Sequence, residues 1–403
     1  MQETPKLTST FRTSGTNLTR AKTHNYSVVL EVIRSHGPIS RTVIAQVTSL
    51  SRQTVQNLVA ELETAGLVVM KPSEIKGRGH PGMEVILNAD SALSIGVHVD
   101  RRSLTAVACN LEGQVIWSDT TQLPEPSSAL ANRHIAASVA AFRTAFPAQS
   151  RRLLGLGLAA PGPFGATTVD AGDAAGFQEI GTEENIRNLT ATTGLPVILE
   201  NDATAAAVGE WLYGIGKGKN NLAVLHFGIG LGAGFILGGS PYRGAQNNAG
   251  EIGHMVVQAD GIPCFCGNRG CLERYLSFGA LCDDLGLHPN DPNAIGQILD
   301  RHKSADPALT RWIHAAAPRF RQAINMLEVM IDPETVIIGG TVPAVILDLI
   351  IAAASPLLQP ISTHEKADAR VVRGTSGPLT VAQGAAAVST NAHFAPSMSR
   401  LIL

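Results

Sequence analysis

Three of the chain's five cysteines fall inside one short stretch, Cys264-Phe-Cys266-Gly267-Asn-Arg-Gly270-Cys271, and His254 lies just upstream. Three thiolates and one imidazole are a complete ligand set for a closed tetrahedral zinc site. Gly267 and Gly270 allow the tight turns that return Cys266 and Cys271 to one point. Two carboxylates ride on the same frame: Glu251, in Glu251-Ile-Gly-His254, and Glu273, just after Cys271. Unrelated buried cysteines would not cluster this densely. A disulfide framework also fits poorly, because the chain is long, its cysteine count is odd, and it opens on the polar Met1-Gln-Glu-Thr-Pro rather than a secretory leader. Cys109 and Cys282 stand alone and read as small core residues.

A chain of 403 residues predicts two or three domains. Its 44% hydrophobic and 16% charged content is that of a soluble globular protein, and a net charge of −2 excludes a wholly basic nucleic-acid binder. The charge is uneven, however. Residues 1–80 hold ten Lys or Arg against five acids, +5 locally, which leaves about −7 on the remainder. A basic head on an acidic body points to a nucleic-acid module joined to something else. The apolar run Val342 to Leu358 contains Pro343, Asp348 and Pro356 and follows a predicted strand, so it reads as a buried helix and not a membrane span. A cytoplasmic protein is expected.

The head divides into an N-terminal arm, residues 1–23, disordered in part, and a winged helix-turn-helix over 24–90. Val28, Val29, Val32 and Ile33 form a helical stripe that ends at Gly37-Pro38. Ser40 caps a second helix with Val43, Ile44 and Val47 on its inner face. Ser51 caps a third, in which Val55, Leu58, Val59 and Leu62 follow helical spacing. That leaves Arg52, Gln53, Thr54, Gln56 and Asn57 toward the outside of its N-terminal half, with Arg41 at the start of the preceding helix. Arg, Gln and Asn make bidentate contacts to base edges. Strands at Leu67–Lys71 and Met83–Leu87, joined by a basic Gly-rich tip carrying Arg78, make a wing, and Arg78 suits a minor groove. Double-stranded operator DNA is the expected partner; a packing module for a protein is the alternative.

From Leu93 the pattern changes to strands alternating with helices. An antiparallel meander is predicted over 94–117, with further strands at 154–158, 196–199, 222–226, 233–237 and 335–338, a helix over Ala203–Tyr213 and a closing helix over Val381–Ser389. Glu200-Asn201-Asp202-Ala203 ends one predicted strand and opens a helix, a common place for ligand groups. Asn201 donates and accepts hydrogen bonds and Asp202 accepts strongly, which suits vicinal hydroxyls; a plain helix cap is the simpler alternative. Gly228-Ile-Gly230-Leu-Gly232-Ala-Gly234 could approach a phosphate or form a tight hairpin.

Together these motifs resemble the ROK family of sugar kinases and sugar-responsive transcriptional repressors, over nearly the whole chain from about Thr16. The resemblance implies a two-lobed α/β sugar kinase/actin-like (ribonuclease H-like) body behind an α+β winged helix-turn-helix domain. Lobe 1 would be residues 91–202 with 380–403, and lobe 2 residues 203–379, carrying a structural zinc on His254, Cys264, Cys266 and Cys271. It assigns sugar contacts to Asn201, Asp202, Glu251, His254 and Glu273, with His254 shared between sugar and metal. Asp202 matches the kinases' general base. The kinases also open the body with Asp-x-Gly-Gly-Thr, where this chain has His98-Val99-Asp100-Arg101-Arg102. Side chains replace the bare backbone that wraps ATP, and Asp100 would repel a triphosphate. The expectation is therefore a regulator without catalytic residues, binding a sugar or sugar phosphate and acting as a homodimer or homotetramer on paired half-sites. The alternatives are an ATP-dependent sugar kinase with an appended DNA-binding head, or a body that binds a protein partner. The family's Asn and Trp ahead of the Glu-Asn-Asp strand are missing, with Gly176-Phe177-Gln178 in their place.

Overall fold

The computed structural model describes residues 18–73, 82–100, 103–125, 127–162, 164, 179–360 and 368–394. The chain divides into two compact units, Met1–Ser91 with Asn391–Leu403, and Ala92–Thr390.

The first unit holds α1 (Leu18–His36), β1 (Ile39–Ser40), α2 (Arg41–Thr48), α3 (Arg52–Thr64), β2 (Val68–Pro72) and β3 (Met83–Leu87). Its antiparallel sheet has the order β1-β3-β2, with Ile39 opposite Val85 and Val68 opposite Leu87. The Ser40 and Ser51 hydroxyls accept hydrogen bonds from the Val43 and Thr54 amides and so start α2 and α3. Val29, Ile33, Ile44, Val55, Leu58, Val59 and Leu62 close one core, with Val68 and Val85 from the sheet beneath. Phe394 also packs on this core. Three expectations need correction. Helix α1 begins inside the segment read as an arm. Residues 391–394 group with the head and not with lobe 1. On α2, Val43 and Val47 are exposed, while Ile44 and Ala45 are buried. A small residue at 45 suits close packing, whereas Val43 and Val47, one turn apart, share an outer face.

The second unit runs β4 (Leu93–Asp100), β5 (Ser103–Asn110), β6 (Val115–Gln122), α4 (Ser128–Ala145), β7 (Leu153–Ala160), α5 (Glu183–Thr193), β8 (Val197–Asn201) and α6 (Asp202–Leu212). It continues through β9 (Leu222–Phe227), β10 (Leu231–Leu237), β11 (Ser240–Tyr242), α7 (Phe278–Asp284), α8 (Ala294–Lys303), α9 (Pro307–Ile331), β12 (Thr335–Gly340), α10 (Ala344–Ala353), β13 (Val371–Ser376) and α11 (Thr380–Phe394). The run read as a buried helix after a strand is α10. Long α9 went unread.

Two five-stranded sheets result, ordered β6-β5-β4-β7-β8 and β11-β10-β9-β12-β13. Each is an antiparallel meander of three strands followed by two strands parallel to the first. The body is therefore a topological repeat. Helices α4 and α5 cover one sheet through Ile135, Val139, Phe142 and Leu189. Helices α7 to α10 cover the other through Leu281, Ile298, Phe320, Ile324 and Ile350. A third cluster joins both sheets through α6 and α11, with Ala205, Ala207, Ala385 and Ala387 among its contacts. Close approach demands this: a Cβ on Gly157 of β7 would lie 1.8 Å from the Ala385 carbonyl oxygen. The C-terminal ends of β4, β8 and β9 open onto a common cleft.

Candidate functional site

The cysteine stretch folds into a small frame of turns. Val256 bridges to Cys271 and Pro263 to Arg269, while the Cys264 amide donates to the Asn268 carbonyl at 2.9 Å. Gly270 has φ +76°, and a Cβ there would fall 1.7 Å from the Gln258 carbonyl oxygen, so only glycine lets Cys271 return. One ligand atom from each of His254, Cys264, Cys266 and Cys271 lies within 4.8 Å of every other. The Cys266 and Cys271 sulfurs are 3.6 Å apart, as are Cys264 Sγ and His254 Nδ1. A tetrahedral ion with bonds of about 2.3 Å to sulfur needs ligand atoms spaced by roughly 3.8 Å. The residues fit a metal, and the set predicted from spacing is the set the fold brings together. Burial pushes the Cys264 thiol up, so loading a metal must displace its proton.

The same frame presents its carboxylates to the cleft. His254 turns Nδ1 toward the cysteines and Nε2 toward Glu251, 3.9 Å from Oε2. One ring thus faces both metal cluster and cleft. Glu273 Oε1 lies 3.2 Å from Cys264 Sγ and 3.7 Å from His254 Nδ1. Asn201 caps α6: its Oδ1 accepts from the Ala203 and Thr204 amides at 2.9 and 3.2 Å. The simpler alternative for Asn201 therefore holds for that oxygen, and its amide nitrogen is what faces Gly162 beside Glu251. Glu200 points elsewhere. It is buried in an ion pair with Arg243, 2.7 Å from Nε, and positions the strand end without lining the cleft. Burial raises the Asp202 carboxyl to about 6. Burial and the charges of Asp202 and Glu273 raise Glu251 to about 7.

Asn201, Asp202, Glu251, His254 and Glu273 line one cleft together with His98, Asp100, His226, Gly228 to Gly232, Phe265 and Thr341. Sequence reasoning missed His226, because a histidine in an apolar strand reads as a core residue. It also missed Phe265, whose ring packs edge-on against His254. The glycine run is the β9–β10 hairpin, with its turn at the cleft. Arg101, Arg102 and Gly176-Phe177-Gln178 lie outside the described residues.

In the head, Arg41, Arg52, Gln53, Gln56 and Asn57 are exposed. Gln53 Nε2 donates to Asn57 Oδ1 at 3.0 Å, holding both on the outer face of α3. Thr54 is half-buried, and its hydroxyl is 2.8 Å from that of Ser51, so it serves the cap. Arg78 lies outside the described residues.

The sequence profile of the ROK family matches residues 94–391. The chain belongs to the ROK family. A MarR family profile matches residues 17–79, over the winged-helix head. Among ROK relatives, the xylose repressor of Caldicellulosiruptor bescii is 31% identical over 80% of this chain and 84% of its own. That of Bacillus spizizenii is 29% identical over 66% of this chain and 69% of its own. A relative in Caldicellulosiruptor sp. (strain Rt8B.4), 32% identical, is spanned over 64% of its length, just under two thirds. A ROK transcriptional regulator described as a homologue of the E. coli MLC protein superposes with a TM-score of 0.73 at 23% identity, over 95% of this chain and 99% of that one. It confirms the two-part ROK architecture as a fold. The ROK glucokinase of Streptomyces griseus, solved with glucose and AMPPNP, is 27% identical with a TM-score of 0.60, over 74% of this chain and 100% of that one. Among the described residues, no helix is long and apolar enough to cross a membrane.

Proposed function

We propose that the protein is a sugar-responsive transcriptional repressor of carbohydrate uptake or catabolism genes, with its effector in the body cleft and operator DNA on α3. One observation carries the reading: a single chain joins a helix-turn-helix with an exposed Arg52, Gln53, Gln56 and Asn57 face to a ROK cleft rich in hydroxyl-binding groups. Asn201, Asp202, Glu251, His254 and Glu273 hold the sugar, and His254, Cys264, Cys266 and Cys271 hold a structural zinc that keeps Glu251 and Glu273 in place. Zinc supplies rigidity here and takes no part in a reaction. Two copies or four would set two heads on two half-sites, in the cytoplasm where the operator is.

The ATP side of the cleft supports a regulator. His98 and Asp100 line the cleft, and by the resemblance they stand where the kinases open the turn that wraps phosphate, where Asp100 would add a negative charge. Asp202, at the position of the kinase base, favours the second reading, an ATP-dependent sugar kinase with an appended head. A coupled assay with Mg-ATP and a sugar panel separates them, alongside gel-shift titration of the operator. The repressor reading expects operator release by a sugar and no turnover. Turnover comparable to a true kinase, or operator binding indifferent to every sugar, would overturn it.

A further inference from the structure

The two sheets of the body repeat one topology, and the repeat places a histidine at the same point in each. His98 lies near the end of β4, just before the β4–β5 turn, and His226 near the end of β9, just before the β9–β10 turn. Each is flanked by an antiparallel neighbour, Thr105 or Gly232, and a parallel one, Ala159 or Gly339. Both line the cleft that holds Asp202 and Glu251.

One ring nitrogen of each lacks a partner among the described residues. His98 Nε2 and His226 Nδ1 are buried and have no hydrogen-bond partner among the described residues. His226 is 3% exposed, and a Cβ added at Gly228 would stand 3.3 Å from its Nε2. A buried polar atom left without a partner destabilises a fold, and two such atoms in one ligand cleft point to a ligand that completes them.

We propose that His98 and His226 contact the effector directly, forming a second polar wall that hydrogen-bonds the hydroxyl groups of an uncharged, unphosphorylated sugar. This rests on the sugar-binding reading given above and narrows it to one class of effector. A neutral imidazole offers one donor and one acceptor, as a hydroxyl does. Both rings are neutral near pH 7: burial holds His226 down near 4 and outweighs the pull of Asp100 and Asp202 on His98. The described lining carries Asp100, Asp202, Glu251 and Glu273 and no lysine or arginine. Among the described residues, a phosphate ester would therefore meet carboxylates and neutral rings.

Calorimetric titration of the full-length protein tests this, using free aldopentoses and aldohexoses, their terminal phosphate esters, and inorganic phosphate. The expected result is binding of a free sugar, with its phosphate ester at least about tenfold weaker. His98→Phe and His226→Phe should each weaken the free sugar about tenfold or more, while His98→Gln and His226→Gln, which keep a donor and an acceptor, retain most of the affinity. The ligand-free Phe variants should melt no lower than the parent, since each loses an unsatisfied buried nitrogen; a purely structural histidine would lower the melting temperature instead. Phosphate esters binding as tightly as free sugars, or Phe variants with undiminished affinity, would overturn the proposal. If those variants still release operator with sugar at the parent's concentration, this inference fails alone. If no sugar binds the parent or alters its operator binding, the repressor reading fails and takes this inference with it.

Discussion

Asp202 is the residue on which effector affinity should turn with pH. Its carboxyl is raised to about 6 by burial. A raised carboxyl favours the folded state while protonated, so that contribution is complete below the ordinary value near 4 and is lost as pH climbs through 6. A sugar hydroxyl donating to the carboxylate favours the ionised form, so binding works in the opposite direction. Affinity should be greatest above pH 6 and fall by up to about tenfold per unit below it. Asp202→Asn should bind weakly and lose the step near pH 6, keeping only the dependence that Glu251, raised to about 7, imposes. Calorimetry between pH 5 and 7.5 checks both, and a flat profile in the parent would exclude Asp202 as an ionised contact. The cysteine frame makes a separate prediction. Cys266→Ser should lower bound zinc, measured by atomic absorption, and destabilise the body by roughly 3 kcal/mol or more. An unchanged metal content would remove Cys266 from the ligand set. These residues were legible because their chemistry is local: Cys264, Cys266 and Cys271 announce themselves by spacing. Arg243, which neutralises buried Glu200 from a distant loop, had no such signal. Nor did His226, whose partner in the repeat becomes visible only once β4 and β9 are superposed in topology.

Among the elements, α3 was the easiest to read and carries the sharpest test. Val55, Leu58, Val59 and Leu62 are all buried at helical spacing, which forces Arg52, Gln53, Gln56 and Asn57 outward. If that face reads bases, Arg52→Ala and Gln56→Ala should each weaken operator binding by about 1–3 kcal/mol. Sugar affinity should stay unchanged. Ser51→Ala acts differently: it removes the Thr54 amide's acceptor and should cost the head about 1 kcal/mol of stability. Footprinting and thermal melts separate the two classes of variant. Operator binding untouched by Arg52→Ala and Gln56→Ala would move the interface off α3. Helix α2 was misread for a physical reason. In eight residues it offers apolar side chains on two faces, and size alone favours Val43 and Val47 over Ala45, whereas close packing favours the smaller residue. Helix α9 was not read from the sequence; it carries Pro318 inside it, a residue that ordinarily breaks a helix. Helix α11 was legible as a helix but not as the element whose last turn groups with the head.

At the scale of the whole molecule, the repressor reading requires one free energy to be shared by two ligands. If a sugar lowers operator affinity by some factor, operator DNA must lower sugar affinity by the same factor, because both are legs of one thermodynamic cycle. Couplings of this kind are typically about 1–3 kcal/mol, or roughly 5- to 150-fold. The structure offers an element able to respond within the body. Helices α6 and α11 join its two sheets through a shared apolar layer that includes Ala205, Ala207, Ala385 and Ala387, and α6 starts at Asn201 and Asp202 on the cleft. A ligand that binds both walls of the cleft prefers the arrangement in which they are closest, and a preference is all that a population shift needs. The measurement is sugar affinity by calorimetry with and without saturating operator, set against operator affinity with and without saturating sugar. Equal factors above fivefold would establish the coupling. A sugar that binds tightly but leaves operator affinity unchanged would reduce the cleft to a binding site without regulatory output, however well its residues match those of a sensor.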